Sequence, residues 1–115
     1  MAAERIDVET AHEMWRAGDT IIDVRSPDEY ALGHIAGAVN VPIETLPLAA
    51  VRLPDGPVIA TCSMGGRCGR AAELLDLTGR TAFSINGGTK AWQAAGYPIQ
   101  SGPEPGQRRR LHLRS

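Results

Sequence analysis

Aromatic side chains are scarce in this chain, with two tryptophans, two tyrosines and one phenylalanine among 115 residues. Val, Ile, Leu and Ala are therefore expected to fill the core. Cysteine is scarcer still. Cys62 and Cys68, six positions apart, are too few for a disulfide framework, which excludes the small cross-linked secreted scaffolds and points to a reduced setting. No apolar run approaches the roughly 20 residues of a membrane-spanning helix. The first ten residues carry Glu4, Arg5, Asp7 and Glu9, too much charge for a signal peptide. A soluble, cytoplasmic protein is the expectation. Net charge is also nearly absent, at −1, with a mean hydropathy of −0.17 and 43% hydrophobic residues, so disorder is not favoured. That small number hides an asymmetry: residues 102–115 hold Arg108, Arg109, Arg110 and Arg114 against Glu104, leaving a mildly acidic body. Neither nucleic acid nor membrane is expected as a partner.

What is present is an alternation of helix and strand signals in a length that suits one domain. Asp7 caps a helix with Val8, Ala11, Met14 and Trp15 on one face, and Gly18 ends it. Ile21-Ile22-Asp23-Val24 reads as a buried parallel strand with Asp23 near its C-terminal end. Ser26, Pro27 and Glu29 form a capping box with proline at the first helical position, and Gly33 stops that short helix. Residues 38–41 make the next strand, closed by Pro42, and residues 46–52 a short helix with Pro47 in its first turn. Val58-Ile59-Ala60 is a buried strand, and the helix beyond Arg67 ends at Thr78-Gly79. Residues 81–85 form the last strand, Asn86-Gly87-Gly88 a tight turn, and residues 89–95 a final helix closed by Gly96. This pattern predicts an α/β domain over residues 1–101, a central parallel sheet with helices on both faces. Gly102-Pro103-Glu104-Pro105-Gly106 reads as a linker into a basic, mobile tail, residues 102–115.

The chemistry concentrates in residues 61–70, Thr-Cys-Ser-Met-Gly-Gly-Arg-Cys-Gly-Arg. Cys62 stands where a strand ends and a glycine-bearing loop turns into a helix. Unpaired first-turn amides, the helix dipole and Arg67 are expected to depress its pKa and make it a thiolate nucleophile. Gly65 and Gly66 permit positive φ and close approach of backbone to an anion. A cation such as Arg67 is disfavoured at a helix N-terminus unless an anion sits nearby, so Arg67 is read as a substrate or persulfide contact. In the open α/β sheet predicted here, Cys62 lies beyond a strand's carboxyl end, where ligands bind.

Around it, Asp23 and Arg25 form a charged cluster with Glu29, and Arg25 reaches Glu29 at i,i+4. Electrostatic tuning of the pocket and a structural ion pair are both open readings. His34 is either a general base or a backbone hydrogen-bonder that fixes the turn at residues 33–37, the second being preferred. Trp92 is core, and His12 has no evident partner. Cys68 is either a small filler or a resolving thiol for an oxidised or persulfidated Cys62. Its side chain is expected to lie along the helix flank, both cysteines remaining unlinked.

Cys62, Gly65 and Arg67 form C-x-x-G-x-R, and with it come Asp23-Val24-Arg25, Glu29-Tyr30, the run from Gly33 to Pro42, Asn86-Gly87-Gly88 through Trp92, and Gly96-Tyr97-Pro98. In order and spacing these segments resemble the landmarks of the rhodanese-like sulfurtransferase family, from about Ile6 to Ile99. The resemblance implies a single-domain rhodanese-like three-layer fold. It also implies catalysis by Cys62 and Arg67, with the substrate cradled by Ser63, Met64, Gly65, Gly66 and Arg67. The thiolate would attack the sulfane sulfur of a small anionic donor such as thiosulfate and pass it as a persulfide to cyanide or a thiol, without metal or organic cofactor. A sulfur-relay protein is a further partner in keeping with it. Cys68 departs from the family's usual small polar residue, and Thr61 stands where an aromatic is common. Ser63 and Met64 form the rim. Two rivals remain: a phosphatase or arsenate reductase, whose C-x5-R loop is one residue longer, and a sulfur-carrying or regulatory binding module.

Overall fold

The structure, a computed structural model, describes residues 4–64 and 66–104. Its elements run β1 (Glu4–Ile6), α1 (Val8–Arg16), β2 (Thr20–Asp23), α2 (Pro27–Leu32), β3 (His34–Ile35) and β4 (Val39–Asn40). After two 3-10 turns (Ile43–Thr45 and Leu48–Arg52) come β5 (Val58–Thr61), α3 (Gly66–Asp76), β6 (Ala82–Ile85), α4 (Gly88–Ala94) and β7 (Ile99–Gln100). Five strands form one parallel sheet in the order β1-β6-β5-β2-β4. From β2 the chain steps outward to β4, then crosses back to β5 and on to β6. The switch in direction lies between β2 and β5, where Asp23 and Thr61 are partners at the carboxyl ends.

Successive residues of a strand face opposite sides, and here both sides are buried. Ile22, Val58 and Ala60 pack with Ala71, Ala72 and Leu75 of α3, whereas Ile21, Ile59 and Ile85 pack with Ala11 and Trp15 of α1 and Trp92 of α4. Two facing cores make the three-layer arrangement that the alternation of elements predicts.

The caps are those expected. The Asp7 side chain accepts from the Thr10 amide at 2.8 Å, and both arms of the Ser26/Glu29 capping box are made. Three differences stand out. The run 81–85 is not the last strand: β7 follows α4 and pairs antiparallel with β3, a two-stranded ribbon too short to carry a periodic signal. The helix expected at 46–52 is a 3-10 turn that begins after Pro47. Residues 4–6, given no element by the sequence, form the edge strand β1 beside β6. Trp92 and Tyr30 are among the largest fully buried side chains, and Trp15 meets Trp92 edge-on at 5.4 Å. His12, without a partner by sequence, stacks on Tyr97 at 3.9 Å and on Trp15 at 5.4 Å. Of the tail assigned to 102–115, only Gly102, Pro103 and Glu104 are described, and the Gly102 amide donates to the Ala31 carbonyl at 2.8 Å. The arginine-rich part lies outside the described residues.

One turn positions α4. Gly87 and Gly88 both have positive φ, 83° and 62°. A Cβ at Gly87 would come within 2.7 Å of the Ala91 Cβ. Gly87→Ala is therefore expected to lower stability by about 1–3 kcal/mol, through left-handed backbone and collision together. Urea denaturation beside the parent protein measures it.

Candidate active site

Cys62 follows β5 directly and is 1% exposed, its side chain in the core layer under α3. Its Sγ accepts the backbone N–H of Cys68 at 3.2 Å. Behind it, the first turn of α4 holds the loop. The Thr89 amide donates to the Cys62 carbonyl at 2.6 Å and the Lys90 amide to the Ser63 carbonyl at 3.0 Å. In a trans peptide the N–H of the next residue points opposite to the carbonyl. Fixing those two carbonyls toward α4 turns the Ser63 and Met64 amides away from it, toward the α3 side on which the Cys62 sulfur lies. The hydroxyls of Thr61 and Thr89 meet at 3.0 Å under this contact, which gives buried Thr61 its place. Met64 is 68% exposed at the rim. Gly66 is the first residue of α3, has no positive φ, and has open space where a Cβ would stand. The freedom expected of it is not used. Gly65 lies outside the described residues.

Arg67 sits in the first turn of α3, and the anion beside it is part of the protein. Its guanidinium makes a fork to Glu29 of α2, Nη1–Oε1 at 2.9 Å and Nη2–Oε2 at 3.2 Å. This corrects the sequence expectation that Glu29 pairs with Arg25. The Arg67 hydrogen bond holds the Glu29 carboxyl down at about 2 and raises Arg67 in turn. With side chains 43% and 38% exposed, the pair is screened and contributes no more than about 1 kcal/mol. Because the folded-state pKa is depressed, that contribution is complete above the ordinary glutamate range and is lost as pH falls toward 2.

Arg25 turns inward instead. Its Nε and Nη2 bond to the Asp23 carboxylate at 2.9 and 2.7 Å, and Nη2 also donates to the Gly33 carbonyl at 2.7 Å. Asn40 donates from Nδ2 to the carbonyls of Asp23 and Arg25, both at 3.0 Å. The cluster clamps the end of β2 to the end of α2, with Asp23 wholly buried. Of the two sequence readings, the geometry fits the structural pair.

The sequence profile described as "Rhodanese-like domain" matches residues 7–95. The chain belongs to this family. The thiosulfate sulfurtransferase GlpE of Stutzerimonas stutzeri is 39% identical over 98 residues, covering 83% of this chain and 88% of that protein. The chloroplastic thiosulfate sulfurtransferase 16 of Arabidopsis thaliana is 32% identical over 110 residues, covering 84% and 92%. The crystal structure of a rhodanese-related protein from Thermoplasma volcanium superposes with a TM-score of 0.78 at 31% identity, covering 88% of this chain and 99% of that one.

Within this rhodanese-like domain, Cys62, Ser63, Met64, Gly66, Arg67 and Cys68 lie on one loop and the helix it opens. Asp23 and Arg25 stand at the neighbouring strand end, Asp23 in register with Thr61, and bond to each other rather than to the loop. His34 does not join them: it is fully buried, its Nδ1 donates to the Tyr30 carbonyl at 2.9 Å, and its ring stacks on Tyr30 at 3.7 Å. Cys68 is not on the helix flank. It is buried in the α3 layer, with its thiol 3.6 Å from the Ile85 carbonyl. Its hydrogen bond to Cys62 and, after that, its burial push the Cys68 thiol far above the ordinary range. A group held protonated is a poor nucleophile, which favours the filler reading over the resolving one. No disulfide joins the two cysteines. Sequence reasoning missed Thr89 and Lys90, whose amides act from a helix remote in the chain.

Asp23→Ala leaves the Arg25 guanidinium buried without its counter-charge. Stability is expected to fall by about 3–5 kcal/mol, read as a lower urea midpoint at unchanged slope.

Proposed function

We propose that this rhodanese-like domain is a sulfurtransferase that moves a sulfane sulfur from thiosulfate or a persulfide donor to cyanide or a thiol through a Cys62 persulfide. The observation that carries the reading is the setting of Cys62. Its sulfur accepts a backbone amide at the mouth of a loop whose carbonyls are tied to α4, so loop amides remain for an anion. The Cys62 thiolate attacks the outer sulfur of thiosulfate. The S–S bond to the sulfonate breaks, sulfite leaves with the electron pair, and Cys62 retains the sulfur as a persulfide. The loop amides of Ser63, Met64 and Cys68 are the donors at hand for the negative charge, and Arg67 meets the anionic donor by exchanging Glu29 for it. The acceptor then takes the outer sulfur and restores the thiolate. A reducing cytoplasm, with small thiols or a sulfur-relay protein as acceptors, suits such a cycle. The phosphatase alternative is weaker, since Cys62 and Arg67 enclose four residues rather than five, a smaller ring for a tetrahedral oxyanion.

Thiosulfate is expected to add one sulfur, about 32 Da, to Cys62 in its activated form, and cyanide to remove it. Intact-mass measurement reads both steps, and undiminished uptake by Cys62→Ser would show the nucleophile to be another group. Arg67→Ala is expected to lower kcat/KM for thiosulfate by about ten- to a hundredfold, below the full effect of an enclosed oxyanion donor. Glu29→Gln frees the guanidinium and is expected to lower the KM for thiosulfate by about two- to fivefold, the scale of one exposed ion pair. Steady-state kinetics beside thermal melts separate these effects from loss of fold.

A further inference from the structure

The sulfur cycle proposed above gives the Cys68 side chain no task, yet that side chain stands at the reacting atom. It is wholly buried, in the same core layer as Cys62. The residue reaches the Cys62 sulfur in two ways: its backbone N–H donates to Sγ at 3.2 Å, and its side chain hydrogen-bonds the same sulfur. The Cys68 thiol also lies 3.6 Å from the carbonyl of Ile85, the last residue of β6. A thiol has one proton to donate, and here a sulfur and a carbonyl oxygen are both within its reach. The proton stays on Cys68, because the bond to Cys62 and burial both push that thiol far above its ordinary range.

One of these two acceptors changes during sulfur transfer and the other does not. A Cys62 thiolate carries its charge on Sγ, which makes Sγ the stronger acceptor. In a persulfide the charge resides on the outer sulfur, and Sγ becomes a neutral divalent sulfur that accepts weakly. The Ile85 carbonyl is the same in both states. The balance between the two bonds is therefore set by where the charge on Cys62 stands.

We infer that the Cys68 thiol is a catalytic hydrogen-bond donor to Cys62 Sγ, turned toward it when that sulfur is anionic and toward the Ile85 carbonyl when it is the inner sulfur of a persulfide. The place of this donor in a cycle rests on the sulfurtransferase reading. When the acceptor attacks the outer sulfur, a bond forms between those two atoms. The bond to Cys62 Sγ breaks, and its electron pair stays on Sγ as thiolate. Charge thus returns to Sγ in the transition state, and the Cys68 S–H rotates about its Cβ–Sγ bond to meet it. Cys68 keeps its proton throughout, and no oxidant or reductant enters the step. A bond that strengthens as the leaving sulfur gains charge lowers the barrier rather than merely holding the persulfide.

Two variants test it. Cys68→Ala removes the donor, and Cys68→Ser supplies an O–H in a similar volume. Single-turnover discharge of the thiosulfate-loaded protein by cyanide is expected to slow about tenfold in Cys68→Ala, the scale of one weak hydrogen bond to a charged sulfur, and to recover in Cys68→Ser. The same donor favours the free thiolate. The pH midpoint for alkylation of Cys62 by iodoacetamide, read by peptide mapping, is therefore expected to rise by about one unit in Cys68→Ala and to return in Cys68→Ser. The charged groups around the loop are common to all three proteins: the Glu29–Arg67 and Asp23–Arg25 pairs, Arg5 beside Gly69, and Lys90 of α4. A difference between the proteins thus reads the side chain at 68, and loss of packing alone lowers the thermal melt without moving the midpoint. A parental discharge rate and midpoint in Cys68→Ala overturn the inference, as does a Cys68→Ser protein no better than the alanine variant. A parent protein that takes up no sulfur from thiosulfate strikes the sulfurtransferase reading instead, and the alkylation midpoint still decides whether Cys68 donates to Cys62.

Discussion

Two hydrogen bonds from the first turn of α4 to the carbonyls of Cys62 and Ser63 govern the rest of the site. A loop that presents amides to an anion must dispose of its carbonyls, and a carbonyl left unpaired in so buried a place would be costly. Here a neighbouring helix takes them. The arrangement requires α4 to arrive at one height and one angle, which the positive-φ glycines of the preceding turn and the buried Trp92 impose. The indole Nε1 of Trp92 donates to the Pro98 carbonyl at 2.9 Å, so the same residue ties α4 to the chain leading into β7. Sheet, glycine turn and aromatic anchor thus converge on the orientation of two peptide planes.

Charge around this loop is arranged by depth. The Asp23–Arg25 pair is buried and further bonded to backbone through Gly33 and Asn40, as a desolvated ion pair must be if it is not to destabilise the fold. The Glu29–Arg67 pair lies at the surface, where solvent screening keeps it weak enough to exchange. One pair holds strand end to helix end. The other holds a cation at the start of α3, weakly enough that an anionic donor could take the place of Glu29 in the function proposed.

The scarcity of aromatics has a similar geometric logic. Trp15, Trp92, Tyr97 and His12 gather in one cluster under α1 and α4, while the opposite layer under α3 is filled by aliphatic side chains and both cysteines. Small residues such as Ala71, Ala72 and Cys68 let α3 lie close to the sheet, bringing the Cys68 amide of its first turn to the Cys62 sulfur.

By itself the sequence determined the order of helices α1 to α4 and of strands β2, β4, β5 and β6, the caps at Asp7 and Ser26, the two-sided burial of the sheet and the position of Cys62 between strand and helix. Those features depend on neighbours within a few residues, where periodicity, capping and turn chemistry act. Tertiary structure alone decided which charge answers which. Arg25 and Glu29 stand four residues apart and look like partners. Yet the chain enters α2 at an angle that sends Arg25 back to Asp23 and leaves Glu29 facing Arg67, thirty-eight positions away. The β3–β7 ribbon, the burial of Cys68 against Cys62, and the service of Thr89 and Lys90 to the loop are of the same kind. A side chain's local sequence limits where it can point. What stands there when it arrives is set by strands and helices that meet only after the chain has folded.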